Sequence, residues 1–152
     1  METFKVRPKV VAIDAPLTIP IFGVTRKVDR DMHRHGYHVL PPLYQAMKAL
    51  TYRGIDLAQK ILEGGMEVIE VHPASTRKAL SMPIKDWKEI QRIFVEMGIK
   101  VSDKPLTFHQ IDAITAALTA LFHIKGEEEK IGENEEGYII VPKKMMWREL
   151  RL

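Results

Sequence analysis

Hydrophobic residues along the chain fall into two kinds of run. Residues 10–13, VVAI, are four consecutive apolar positions after Lys9, and residues 66–73, MEVIEVHP, place Val68, Ile69 and Val71 around Glu70. Short apolar runs closed by prolines, here Pro16 and Pro73, read as strands buried on both faces. Between them Leu43, Met47, Leu50, Gly54, Leu57 and Ile61 recur at steps of four and three. That period predicts an amphipathic helix opening at Pro41-Pro42 and ending at Gly64-Gly65, with Gly54 allowing close approach to a neighbour. Strand, long helix and strand make a crossover unit with parallel strands.

The second half continues the same alphabet. Residues 73–81 suit a short helix after Pro73. A further helix from Asp86 carries Trp87, Ile90, Ile93, Phe94 and Met97 at helical spacing and stops at Gly98. Thr107 and Gln110 form a capping box, and Phe108, Ile111, Ile114, Leu118, Leu121 and Phe122 give the next helix one apolar stripe. Residues 126–137, acidic and punctuated by glycine, read as a loop or linker, and YIIV at 138–141 as a last strand. The tail from Lys143 mixes basic residues with Met145, Met146, Trp147 and Leu150. It is either an exposed patch seeking a partner or the lid of the core. The expected class is α/β, in one domain over residues 1–152.

Composition narrows the function. The 152 residues contain no cysteine, which excludes disulfides, thiolate metal sites and cysteine nucleophiles. A net charge of +3 is compatible with contact to nucleic acid without requiring it. Only five residues are Asn or Gln against 43 charged ones, a balance of thermophile type. No leader and no long uninterrupted apolar run is evident, so the expectation is a cytoplasmic protein that does not enter a membrane. No P-loop, dinucleotide fingerprint or serine elbow occurs.

Three acids stand out because their neighbours are apolar. Asp14 leaves the carboxyl end of the first strand, Glu70 sits near that of the second, and Asp112 is the only formally charged residue between Lys104 and Lys125. Parallel strands bring Asp14 and Glu70 to one end of the sheet, where α/β proteins hold their ligands. Together the three carboxylates suit Mg²⁺ or Mn²⁺, which prefer oxygen ligands, and two such ions clamp the oxygens of a phosphodiester. Each acid also has a plain alternative. Asp14 could cap the next turn, Glu70 could pair with His72 or a nearby Arg, and Asp112 could rest on its helix's amino-terminal dipole. Residues 25–36 gather Arg26, Arg30 and Arg34, which could hold phosphate or merely form a solvated polar turn or short helix.

Several stretches occur in the order known from one family. VAIDAPLTIP, the R-x-x-D-R-x-x-x-R set of Arg26, Asp29, Arg30 and Arg34, EVIEVHPAS, HQIDAITAALTAL and EEGYIIVP resemble the predicted RNase H-like nucleases of domain-of-unknown-function family 429. The resemblance implies a ribonuclease H-like fold, with residues 10–13 similar to its fourth strand and residues 107–124 to its last helix. It also implies that Asp14 and Asp112 belong to the active site and that Glu70 falls in another motif. Family members begin with a three-stranded meander and a helix, and the first strand carries a further metal-binding acid. This chain begins at what looks like the tail of that helix, so the expectation is an N-terminally truncated domain with an open edge beside residues 10–13. Two functions follow. One is a metal-dependent nuclease with Asp14, Glu70 and Asp112 as catalytic and metal-binding residues, weakened by the missing ligand. The other is a non-catalytic homodimeric module, paired through the open strand edge or the tail.

Overall fold

The apolar run Val10–Ile13 is strand β1 and Glu67–Val71 is β2, paired in parallel with Val10 opposite Glu67 and Ile13 opposite Glu70. The computed structural model describes residues 2–152. Before β1 lies a short helix α1 (Glu2–Val6). The crossover to β2 contains α2 (Lys27–Arg34) and α3 (Gln45–Glu63). After β2 come α4 (Pro73–Ala79), α5 (Trp87–Glu96) and α6 (Phe108–Lys125), then β3 (Glu128–Glu133) and β4 (Gly137–Pro142), with a 3₁₀ turn at Trp147–Glu149. The mixed four-stranded sheet has the order β1-β2-β4-β3, with β4 parallel to β2 and β3 antiparallel to β4. None of the described helices is long and apolar enough to cross a membrane.

Strand alternation assigns the two faces of the sheet. Ile13 and Val11 turn toward α3, where they pack with Ala58, Ile61 and Met66. Ile69, Val71 and Ile140 turn the other way, against Ala116 and Ala120 of α6. Farther out, α5 and the tail close a second core of Ile90, Phe94, Ile111, Phe122 and Trp147. The tail is therefore a lid rather than an exposed patch. Its backbone is tied by Met145 N–H to the Ala79 carbonyl (3.0 Å) and Trp147 N–H to that of Leu80 (2.9 Å).

Local signals placed the helices well. Thr107 and Gln110 form the reciprocal capping box of α6, which ends on Gly126 with a left-handed backbone (φ 69°), and the Asp86 carboxylate caps α5 through Glu89 N–H at 3.1 Å. Helix α3 starts later than its prolines suggest, with Tyr44 as its first cap. Pro41 precedes another proline and is sterically pushed out of the helical region. Its carbonyl accepts from Tyr44 N–H (3.2 Å), and the Pro42 carbonyl accepts from the Thr51 hydroxyl (2.8 Å).

Two segments differ from their reading in sequence. The acidic stretch 126–137, read as a loop or linker, contains β3, an edge strand on which only Ile131 is buried. Its charges belong on an edge, where they are solvated and discourage further pairing. The basic stretch after Thr25 is the short helix that one of its readings allowed, but it is not solvated all round, since Val28, Asp29 and Met32 are buried. At the opposite edge, β1 has β2 as its sole neighbour among the described residues.

Gly54 meets its expected role. A Cβ built there lies 2.9 Å from Ala15 Cβ and 3.1 Å from the Pro16 carbonyl oxygen, in the segment directly after Asp14. Gly54→Ala is expected to destabilise the fold by about 1–2 kcal/mol, because the overlap outweighs a helix-propensity gain of about 1 kcal/mol. A urea midpoint that rises instead would show that α3 and this segment are not in close contact.

Candidate active site at the carboxyl ends of β1 and β2

β1 ends at Ile13 and Pro16 cannot extend it, so the chain leaves the sheet at Asp14 and builds a loop over the strand ends. Glu136, in the turn between β3 and β4, holds that loop. Its carboxylate accepts from Ile21 N–H at 2.7 Å and from Lys27 N–H, while its carbonyl accepts from the Thr18 hydroxyl. The backbone donors of Lys27 and Ile21 keep its carboxyl below the usual range. Beneath the loop lies a cleft of about 180 Å³ whose lining includes Asp14, Arg26, Asp29, Glu70, His72, Leu40 and Met47.

The three predicted acids do not form one cluster: Asp14 and Glu70 both line the cleft at the strand ends, but Asp112 does not. Ile13 and Glu70 are register partners and share the α3 face, whereas Asp112 rises from α6 against the other face. The sheet itself lies between Glu70 and Asp112. Glu70 is buried and occupied: its two oxygens accept from Arg26 Nη2 (2.7 Å) and Nη1 (2.8 Å), and Oε2 also accepts from Leu17 N–H (2.8 Å). Of its two readings, the structure carries the pairing with a nearby Arg. Burial raises its pKa, and the bonds to Arg26 pull it part of the way back.

Arg26 is correspondingly not a surface phosphate contact. It is 1% exposed, and its Nη2, besides donating to Glu70, also donates to Asp29 Oδ1 at 2.7 Å. Burial opposes its charge, but the hydrogen bonds to Glu70 and Asp29 more than restore it. Arg30 donates to the Thr25 carbonyl (3.0 Å) and Arg34 pairs with Asp31 (2.8 Å), both at the surface and neither lining the cleft. A sequence dense in arginine thus places one of them in the interior and the others on a solvated helix.

Asp14 and Asp112 lie close enough for their charges to interact. The Asp14 pKa is raised to about 6, first by desolvation, then by the charge of Asp112, against a smaller lowering by Arg77. Solvent still reaches the Asp14 side chain, so the desolvation reflects protein mass on its flanks rather than enclosure. Asp112 is held by Arg77, whose Nη1 lies 2.7 Å from its Oδ1 and 3.2 Å from Thr115 Oγ1, while Arg77 Nε donates to the Ile84 carbonyl at 3.1 Å. Arg77 is buried, with its guanidinium 5.6 Å from the centre of the Trp87 ring. His72 precedes α4 and its Nδ1 shares a hydrogen bond with Ser75 Oγ at 2.6 Å. Its pKa falls to about 4, through burial and then the charge of Arg77, offset in part by Asp112, so the imidazole is neutral at pH 7.

Arg77 was not singled out by sequence reasoning, and His72 entered it only as a possible partner of Glu70. Arg77 belongs to an ordinary-looking polar turn, and only the packing of α4 on α6 reveals it as the partner of Asp112. His72 had one usable signal, its position directly after a strand end that already carried an acid. Among the described residues, no three His, Asp or Glu side chains form a ready metal cage. The pair Asp14 and Asp112 nonetheless suits a single Mg²⁺ or Mn²⁺, because such ions commonly take one or two carboxylates and complete their shell with water and substrate oxygens. Comparison of the chain with protein-family models, with curated proteins and with solved structures finds no match.

Proposed function

We propose that this chain is a ribonuclease H-like, metal-assisted hydrolase of phosphodiester bonds, with Asp14 and Asp112 as the acids that hold Mg²⁺ or Mn²⁺. One observation supports the reading above all: an apolar helix and a buried strand, distant in sequence, bring two carboxylates close enough that one raises the pKa of the other. Like charges held together at a strand end are costly, and a bound cation relieves them. When bound, the ion would polarise a phosphoryl oxygen and acidify a water. The chain's own groups do the rest. Arg77 fixes the Asp112 carboxylate, leaving its second oxygen for the ion, while neutral His72 adds a hydrogen-bonding group without adding positive charge. Glu70 and Arg26 act at a remove, by bracing the loop that begins at Asp14.

The test is cleavage of single-stranded RNA, single-stranded DNA and RNA–DNA hybrid with Mg²⁺ or Mn²⁺. Asp14→Asn is expected to lower the rate at least a hundredfold. The same substitution should raise stability at pH 7. The folded-state pKa lies above the value of 3.8 in the unfolded chain, so the native state binds more protons between about pH 4 and 6 and loses stability as pH rises through that window. Asn carries no such charge. Retained cleavage in Asp14→Asn, or lower stability at pH 7, would remove Asp14 from this role.

A second reading has its own observation. β1 is an edge strand, and beside it runs a largely apolar groove of about 610 Å³ lined by Val10, Val11, Ala12 and the small residues Ala113, Ala117 and Ala120 of α6. A non-catalytic module that pairs two copies through this edge would be a stable dimer in sedimentation equilibrium and would take up no Mn²⁺.

A further inference from the structure

A second cavity adjoins the acidic cleft and has the opposite chemistry. It measures about 510 Å³, and its polar lining consists of Tyr37, His38, His72, Ser75, Lys78 and Ser81. No carboxylate lines it, whereas Asp14, Asp29 and Glu70 all line the cleft. His72 belongs to both walls, so the two spaces meet at that residue. We propose that this groove receives a backbone phosphate of a nucleic-acid strand, next to the phosphodiester presented to Asp14 and Asp112.

The donors suit an anion. Lys78 Nζ gives one hydrogen bond to the Gly36 carbonyl at 2.6 Å, which anchors the ammonium at the rim and leaves two of its three protons free. The Tyr37 hydroxyl is enclosed, with no partner among the described residues and the charge of Glu129 near it, so it is not counted among the donors. Ser81 stands at the end of α4 in a left-handed backbone (φ 57°), a position easier for glycine, and so brings a hydroxyl to the groove mouth. The arginines at and within α2 do not compete for this role, because Arg26, its N-cap, is enclosed and neither Arg30 nor Arg34 lines either space. A strand passing from the groove to the cleft would meet donors first and acids second, the polarity required to hold one phosphate while a cation attends the next.

The inference rests on the nuclease reading for its substrate, so the experiment separates the two. Binding of a short fluorescent single-stranded oligonucleotide is measured in EDTA, where no cleavage is needed. Lys78→Ala is expected to weaken it roughly tenfold at low salt and to reduce the salt dependence by about one ion, Lys78→Arg to restore most of it, and Asp14→Asn to leave it unchanged or tighter. Because Lys78 is exposed, its thermal midpoint serves as a control for folding. Inorganic phosphate should displace the oligonucleotide and move the His38 and His72 imidazole signals in the native protein but not in Lys78→Ala. Binding indifferent to Lys78 overturns the groove even if Asp14-dependent cleavage is found. Phosphate binding without oligonucleotide binding overturns the nucleic-acid assignment. Lys78-dependent binding with no cleavage under any metal upholds the groove and removes the nuclease reading.

Discussion

Arg26→Ala is expected to cost about 3–5 kcal/mol of stability, because it leaves Glu70 and Asp29 buried with no cation between them. The guanidinium is enclosed by the two carboxylates, and its Nη1 also donates to the Thr18 hydroxyl at 2.9 Å. Removing it strands two charges that the interior cannot solvate, a larger penalty than the lost hydrogen bonds alone. Chemical denaturation of Arg26→Ala beside the double variant Arg26→Met/Glu70→Leu distinguishes the causes. If uncompensated charge dominates, the double variant recovers part of the loss. A shift below about 1 kcal/mol in the single variant would mean that the cluster is hydrated and contributes little.

Arg77 should report in two ways. Arg77→Met removes the donor to Asp112, Thr115 and the Ile84 carbonyl, at an expected cost of about 2–3 kcal/mol, below the fully buried case because Asp112 is partly exposed. It also changes the titration of the site. Arg77 lowers the Asp14 pKa, so its loss should move that group upward from about 6. It likewise lowers the His72 pKa, which should rise from about 4. Carboxyl and imidazole NMR titrations read both shifts. Arg77→Lys keeps the charge but cannot donate from Nε and Nη1 together, so it should restore the titrations more fully than the stability. Unchanged titrations in Arg77→Met would show that the guanidinium acts only as a structural brace.

The two variants probe opposite faces of one sheet, and that division explains which parts of the site were legible. Asp14 and Asp112, whose charges interact in the structure, could each be picked out as a lone charge in apolar surroundings, a contrast visible in the chain itself. Glu70 met the same criterion and has a different surrounding. In a strand successive side chains alternate faces, so an acid one position along points to the other layer. Its register opposite Ile13, not Asp14, put it among α3 and Arg26. The arginine motif misled for a related reason: a run of basic residues looks solvated until one of them is needed to neutralise a buried acid elsewhere. Arg77 gave no warning, since its partner lies in α6.

By itself the sequence determined the units of this protein. The apolar runs of β1 and β2, the period of α3, the capping of α5 and α6, the glycine stop at Gly126 and the close approach at Gly54 are local consequences of side-chain pattern and backbone sterics. The tertiary structure alone decided that residues 128–133 become an edge strand, that the tail seals the core, and which acids share a space. Those outcomes depend on partners far away in the chain: Arg26 for Glu70, Arg77 for Asp112, and β2 for β4, whose placement in the sheet leaves its hairpin partner β3 at the edge. Charge pairing and strand register are set by what each segment meets after packing, and no window of neighbouring residues contains that information.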